Sequence, residues 1–173
     1  MLFRSALMQE NQRAGLAPKR VLPPLSWGRS MIHRPSIDHT MLIIAHVLSQ
    51  RATCAKLSVG CVLTDVDGII VGAGYNGVPR GCRHCIDIPC PGAIAPKGAD
   101  LCEAVHAEAN ALLSPEAHRA FTCYVTHAPC MRCTKVLLNT NIQNIIFTHL
   151  DNVETNAEEL WRRMGRQWIY YQG

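Results

Sequence analysis

Three observations predict an α/β fold in which a mixed sheet carries helices on both faces. Apolar runs over 59–64 and 69–75 flank Asp65-Val66-Asp67-Gly68, and Asp-Gly readily supplies the positive φ of a tight hairpin turn. Beyond that hairpin, segments of helical spacing alternate with short apolar segments in the order β-α-β-α-β. Ahead of it, Ser36 stands as a cap before apolar residues at Ile37, Met41, Ile44, Ala45 and Leu48, which recur with a helical period.

Taken in order, the first helix spans 36–51 and the hairpin strands span 59–64 and 69–75. Residues 76–101 are rich in Gly, Pro and Cys and lack a clean period, which predicts a long loop. Loops of that length are usually functional or pinned by a metal. A helix over 105–113 stops at Ser114-Pro115, because proline breaks any continuation. Strand 121–126, helix 130–138 opened by Pro129, strand 142–148, helix 156–164 and strand 167–170 complete a mostly five-stranded sheet. Residues 1–35, punctuated by Pro18, Pro23, Pro24, Pro35, Gly15 and Gly28, read as an irregular extension to a domain over 36–173.

Composition narrows the class. A chain of 173 residues is one domain's worth, long enough to bury a sizeable core. No apolar run approaches the roughly 18 residues of a membrane span. The net charge of +4 lies partly in Arg4, Arg13, Lys19, Arg20, Arg29 and Arg34. That excess is too small to argue for nucleic acid, though it favours a phosphate-bearing ligand. Nine cysteines without a secretory apolar segment point to metal binding in a reducing cytoplasm rather than to disulfides.

The chemistry concentrates in His106-Ala107-Glu108 and Pro129-Cys130-Met131-Arg132-Cys133. His106, Cys130 and Cys133 offer three of the four ligands of tetrahedral zinc, and a catalytic site leaves the fourth position to water. Glu108, two residues from His106 and not needed as a ligand, reads as the proton shuttle beside that open position. Both ligand groups fall at helix starts, where the dipole favours thiolates. A Cys-x-x-Cys alone also suits structural zinc or thiol redox chemistry. The ordered set H-x-E then P-C-x-x-C is the signature of zinc deaminases acting on nucleobases.

With Gly74-Tyr75-Asn76-Gly77-Val78-Pro79-Arg80-Gly81 added, the chain resembles the deoxycytidylate deaminases of the cytidine deaminase superfamily. Arg51-Ala52-Thr53-Cys54, Arg83-His84-Cys85 and Tyr124-Val125-Thr126-His127-Ala128-Pro129-Cys130 agree, so the likeness runs over about 36–148. It implies a three-layer α/β/α cytidine deaminase-like fold, a zinc cofactor and a homo-oligomer. The implied reaction is hydrolysis of dCMP to dUMP and ammonia, which supplies dUMP for thymidylate synthesis. Carried over by position, His106, Cys130 and Cys133 match the zinc ligands, Glu108 the shuttle and Asn76 the contact to the substrate sugar. Asn76 has a plainer reading, as a turn residue beside Gly77. Ala107, Ala128 and Val59 are expected at the base, through the Ala107 amide and the carbonyl near Ala128. Lys56, Arg80, Arg132 and Lys135 are candidates for the phosphate. His127 reads as a strand-end residue lining the site.

The likeness further implies a second, structural zinc on Cys54, Cys85, Cys90 and Cys102, with His84 or Cys82 as substitute ligands. Such a cage would pin the 76–101 loop. Cys61 and Cys123 read as buried free thiols within strands. Two departures stand out. Ser114-Pro115-Glu116 cuts short the helix that regulated members use for subunit contact and triphosphate sensing. The aromatic residue that covers the base after the fourth strand is missing, with only His149 nearby. Rival readings are a related deaminase acting on a modified deoxycytidylate, cytidine or tRNA adenosine, and a non-catalytic zinc module binding a nucleotide or a partner.

Overall fold

The computed structural model describes residues 34–95, 101–150 and 154–172, and those from Pro35 onward belong to one compact unit. The extension expected over 1–35 lies outside the described residues except at its end. Five strands form one mixed sheet in the order β2-β1-β3-β4-β5. They are β1 (Gly60–Thr64), β2 (Ile70–Tyr75), β3 (Thr122–His127), β4 (Asn144–His149) and β5 (Gln167–Tyr170). β1 pairs antiparallel with both β2 and β3, whereas β3–β4 and β4–β5 are parallel. Two antiparallel steps make β2 run in the direction of β3, so β2, β3 and β4 share one carboxyl edge.

The hairpin forms as the Asp-Gly signal predicts. Gly68 takes φ +79°, and the Asp65 carboxylate accepts the amides of Asp67 and Ile69. Helix α1 (Ile37–Ser49) opens on Ser36, whose hydroxyl accepts the amide of His39 at 3.1 Å. Its Met41, Leu42 and Ala45 meet Val62, Tyr124 and Ile146 on one face of the sheet. The other face holds α3 (Ala107–Leu112), α4 (Met131–Leu138) and α5 (Thr155–Arg163), with Ala107, Ala111, Leu137, Ala157 and Trp161 buried on Cys61, Leu63, Val125 and Phe147. Alternate strand residues therefore serve two cores, as the period of two requires.

The sequence reading differs from the structure in three local respects. Val105, expected to open a helix, pairs instead with Gly77 as an isolated bridge, and α3 begins two residues later. The backbone exchange between Val105 and Gly77, at 2.8 and 3.1 Å, draws both ends of the long loop together at the carboxyl edge of β2. Inside that loop, Pro91–Ile94 forms the short helix α2, opened by proline at its first turn. After Ser114-Pro115 the chain turns through a 3₁₀ helix, Pro115–Arg119, so proline ends α3 without ending helical structure.

Two fittings hold helices against their neighbours. A Cβ at Gly74 would come within 2.5 Å of the Ala111 nitrogen and 2.6 Å of the Ala107 oxygen, so only glycine lets α3 rest directly on β2. Arg166, following α5, donates to the Ile142 and Leu138 carbonyls at 2.8 and 3.1 Å and lies over the Trp161 ring. It thereby meets the Leu138 carbonyl that α4 leaves open at its carboxyl end. Gly74→Ala should cost about 1–3 kcal/mol in urea unfolding, the range of an overpacked core, and should reduce metal retention because α3 is the element that must yield. Unchanged zinc content in a destabilised variant would show that β2 moves instead.

Candidate active site

Two helix starts converge at the carboxyl edge of the sheet. His106 is the N-cap of α3 and Cys130 the N-cap of α4, both in extended backbone conformation, and Cys133 lies in the first turn of α4. The His106 Nδ1 atom lies 3.5 Å from Cys130 Sγ and 3.3 Å from Cys133 Sγ. Tetrahedral zinc with bonds of about 2.0–2.1 Å to nitrogen and 2.3 Å to sulfur would set these atoms about 3.6 Å apart. Donor chemistry and spacing both fit that ion. Among the described residues, these three are the one group of three or more His, Cys, Asp or Glu gathered within 4.8 Å.

Glu108 sits in the first turn of α3, 4% exposed, and burial raises its carboxyl above the usual range. The Cys130 thiol is held down to about 3, first by its hydrogen bond with Cys133 and then by His106. Cys133 is pushed up, by that same bond to Cys130 and by burial. The His106 imidazole is raised chiefly by its bond to Cys130. Cys130 is thus the ready thiolate and Cys133 the thiol that keeps its proton. A cavity of about 220 Å³ opens beside the trio, with His106, Glu108, Arg132, Cys133, Leu112 and Val136 in its lining.

The other expected site residues fall into three groups. Ala107 is fully buried at the first position of α3, and the Ala128 amide donates to His149 at 3.2 Å. Asn76 is buried, and its side chain is committed to backbone, accepting from Val59 N and donating to Leu57 O, each at 2.7 Å. Its amide holds the segment entering β1 rather than the turn at Gly77. Of the expected phosphate residues, Arg132 lines the cavity, whereas Lys56, Arg80 and Lys135 are exposed and absent from its lining. His127 stacks on His149 with ring centroids 4.6 Å apart and shares a 2.9 Å contact with the Thr126 hydroxyl. Cys61 and Cys123 are fully buried with sulfurs 3.6 Å apart.

The four thiols expected to hold a second metal do not form such a close group. Cys85 and Cys90 approach to 3.5 Å, Cys54 is buried, and Cys102 is exposed at the boundary of the residues outside the description. Residues that spacing did not reveal include Leu112 and Val136 in the cavity lining, and Glu154, whose carboxylate accepts the Met131 amide at 2.8 Å. Glu154 lies 23 positions beyond its partner, and no motif links the two.

This sheet, with a His-Cys-Cys trio at two helix starts and a buried carboxylate beside it, defines a zinc-dependent deaminase fold. Residues 35–149 match the cytidine and deoxycytidylate deaminase zinc-binding region, and the chain belongs to that family. It is 31% identical to the deoxycytidylate deaminase of Schizosaccharomyces pombe, over 80% of this chain and 45% of that protein. With the deoxycytidylate deaminase of Mycobacterium phage D29 it shares 37% identity, over 66% of this chain and 95% of that protein. The chain thus spans under half of the yeast relative and nearly all of the phage one. Among solved structures, the dCMP deaminase of cyanophage S-TIM5, in complex with dCMP and dUMP, superposes with a TM-score of 0.63 at 20% identity, covering 80% of this chain and 99% of that one. No described helix is long and apolar enough to cross a membrane.

Zinc requires both thiols ionised. With Cys130 already a thiolate and Cys133 still protonated, zinc uptake by metal-stripped protein at about pH 8 should release about one proton from the pair. Affinity should therefore fall as pH falls. The thiolate absorbance that the metal-free protein loses in Cys130→Ser checks the ionised state of Cys130, and no loss at about pH 8 would place Cys130 in the thiol form.

Proposed function

We propose that the chain catalyses hydrolytic deamination of dCMP to dUMP, with Glu108 as the proton carrier and zinc held by His106, Cys130 and Cys133. The observation that carries this reading is a buried carboxylate, outside the ligand set, beside three ligands that leave one tetrahedral position for water. The deoxycytidylate deaminases of yeast and phage D29 support the substrate. Zinc supplies Lewis acidity, which brings the pKa of a coordinated water to about 7. Glu108 would take one proton from the attacking water and pass it to N3 of the cytosine ring, then take the proton left on the hydroxyl added at C4 and pass it to the amino group, which departs as ammonia. A carboxyl whose pKa burial has raised suits a group that must both take and return protons near neutrality. The Ala107 amide and Ala128 carbonyl orient the base edge, and Val59 packs against it. Arg132 is the cation placed to meet the 5′-phosphate, being the expected phosphate residue that lines the cavity.

Two finer features belong to the same reading. A structural zinc on Cys54, Cys85, Cys90 and Cys102 is supported by the surroundings of Cys90. Its thiol is lowered, first by the amide of Glu103 and also by Cys85 and the amides of Ala93 and Gly92. The Ile86 amide bonds to Thr53 O at 3.2 Å, and a Cβ at Gly92 would meet the Cys102 Cα at 2.4 Å. All four cysteine segments therefore adjoin. Self-association is supported by Leu113, the residue just past α3, and Val136 on α4, both apolar and exposed.

A substrate panel tests the activity. Ammonia release should be far faster with dCMP than with deoxycytidine, cytidine or adenosine in tRNA. Glu108→Gln should lower kcat by at least about 100-fold while zinc stays bound. Equal rates for dCMP and deoxycytidine would refute phosphate recognition. Metal analysis should find about two zinc ions per chain, falling to about one in Cys90→Ser. About one in the unaltered protein would remove the second site.

A further inference from the structure

Helix α4 carries two of the three metal ligands, yet its N-cap side chain, that of Cys130, makes no cap bond. A metal-bound sulfur can accept an amide, and the Cys133 amide helps hold the Cys130 thiol down, but the remaining first-turn amides lack the Ser, Thr, Asp or Asn oxygen that most helices place here. The first of those amides, that of Met131, goes instead to the Glu154 carboxylate at 2.8 Å. That is a charge-assisted bond placed at the positive end of the helix dipole. At the opposite end of α4, Arg166 takes the Leu138 carbonyl at 3.1 Å and that of Leu137 at 3.4 Å. Glu154 is the residue just before α5, and Arg166 follows it closely. The segment 154–166 therefore lies across α4 as a splint, with an anion on its amino end and a cation on its carboxyl end.

The two ends differ in what they hold. Arg166 fixes a turn distant from the metal ligands. Glu154 fixes the single amide that directly follows Cys130, within the Cys-x-x-Cys turn itself. The corresponding start of α3 is served from within, since the Glu108 carboxylate receives its own backbone amide. α4 has no acidic residue in its first turn to do the same.

We propose that Glu154 is a positioning residue of the metal centre: by taking the Met131 amide, it holds the Cys130–Cys133 turn in ligating geometry and ties to it the start of α5. This rests on the zinc reading of His106, Cys130 and Cys133. It assigns Glu154 no contact with substrate or metal. Groups outside the first coordination sphere that orient ligands commonly affect metal affinity by about 10–100-fold, and Glu154 acts within that range.

The test compares Glu154→Ala, Glu154→Gln and Arg166→Met with the unaltered protein, each loaded with zinc. Zinc loss to a chromophoric chelator is followed alongside urea unfolding and the kcat and KM for dCMP. Glu154→Ala should lose zinc about 10–100-fold more readily, with kcat falling more than KM rises. Glu154→Gln keeps an acceptor oxygen for the Met131 amide and should stay within about threefold of the unaltered protein. Arg166→Met should lower stability yet leave zinc retention unchanged, so that a general loosening of α4 is told apart from loss of the ligand turn. Zinc retention in Glu154→Ala equal to that of the unaltered protein, or equal to Arg166→Met, would overturn the proposal. Failure of Glu154→Gln to restore retention would overturn it too. If the unaltered protein held no zinc at His106, Cys130 and Cys133, the deaminase reading itself would fall, and that outcome is visible before any variant is compared.

Discussion

This chain begins two helices on residues proposed as metal ligands, where most helices begin on a Ser, Thr, Asp or Asn cap. His106 and Cys130 hold the N-cap positions of α3 and α4 without capping either. The arrangement gains something in return, because first-turn amides and the positive end of a dipole stabilise the thiolates zinc requires. The cost is that the open amides need anions from elsewhere. Glu108 and Glu154 meet that need, and the one that also lies in the cavity is the one suited to moving protons. The site is thus a consequence of where two helices start. Their placement depends on the glycine at 74, which lets α3 sit on β2, and on the parallel crossover that delivers α4 to the end of β3.

What could be read from the sequence follows the range of the interactions involved. The hairpin at Asp65–Gly68, the Ser36 cap and the stop at Pro115 are local chemistry, and each is in place, as is the sheet they predict. The trio and Glu108 were legible for a related reason: the coordination chemistry is written in two short spacings, and the sheet only has to bring them together. The bridge between Gly77 and Val105 was not legible, because nothing in either residue names the other across the loop. Glu154 was hidden for the same reason, as a common surface acid whose meaning comes only from the amide it faces. Arg166 likewise reads as an ordinary charge until it is seen over Trp161 and against the end of α4.

Asn76 shows how a resemblance and a geometry can assign one residue different work. The resemblance puts its amide on the sugar, whereas the amide joins Val59 N and Leu57 O at 2.7 Å each. Releasing either bond inside the fold would leave a buried polar group unpaired, at roughly 1–3 kcal/mol. A sugar hydroxyl replacing one of them could offset that cost. The two assignments are compatible, since the Asn76 amide keeps one lone pair and one N–H beyond the two bonds that fix the segment carrying Val59. Either way, the stretch between α1 and β1 is set by a side chain arriving from the end of β2.

Charge around the ligand turn closes the argument. Arg132 lies between Cys130 and Cys133, lines the cavity and acts against protonation of His106. A cation there would by itself disfavour a divalent metal next door. Two thiolates neutralise the metal's charge, and the Glu154 carboxylate at the neighbouring amide opposes the arginine, so the turn tolerates a positive group within reach of the cavity. The arginine lines the cavity of an otherwise balanced site, where an incoming phosphate would feel its charge. A chain with a net charge of only +4 needs no basic face to select a nucleotide if one guanidinium stands at the cavity.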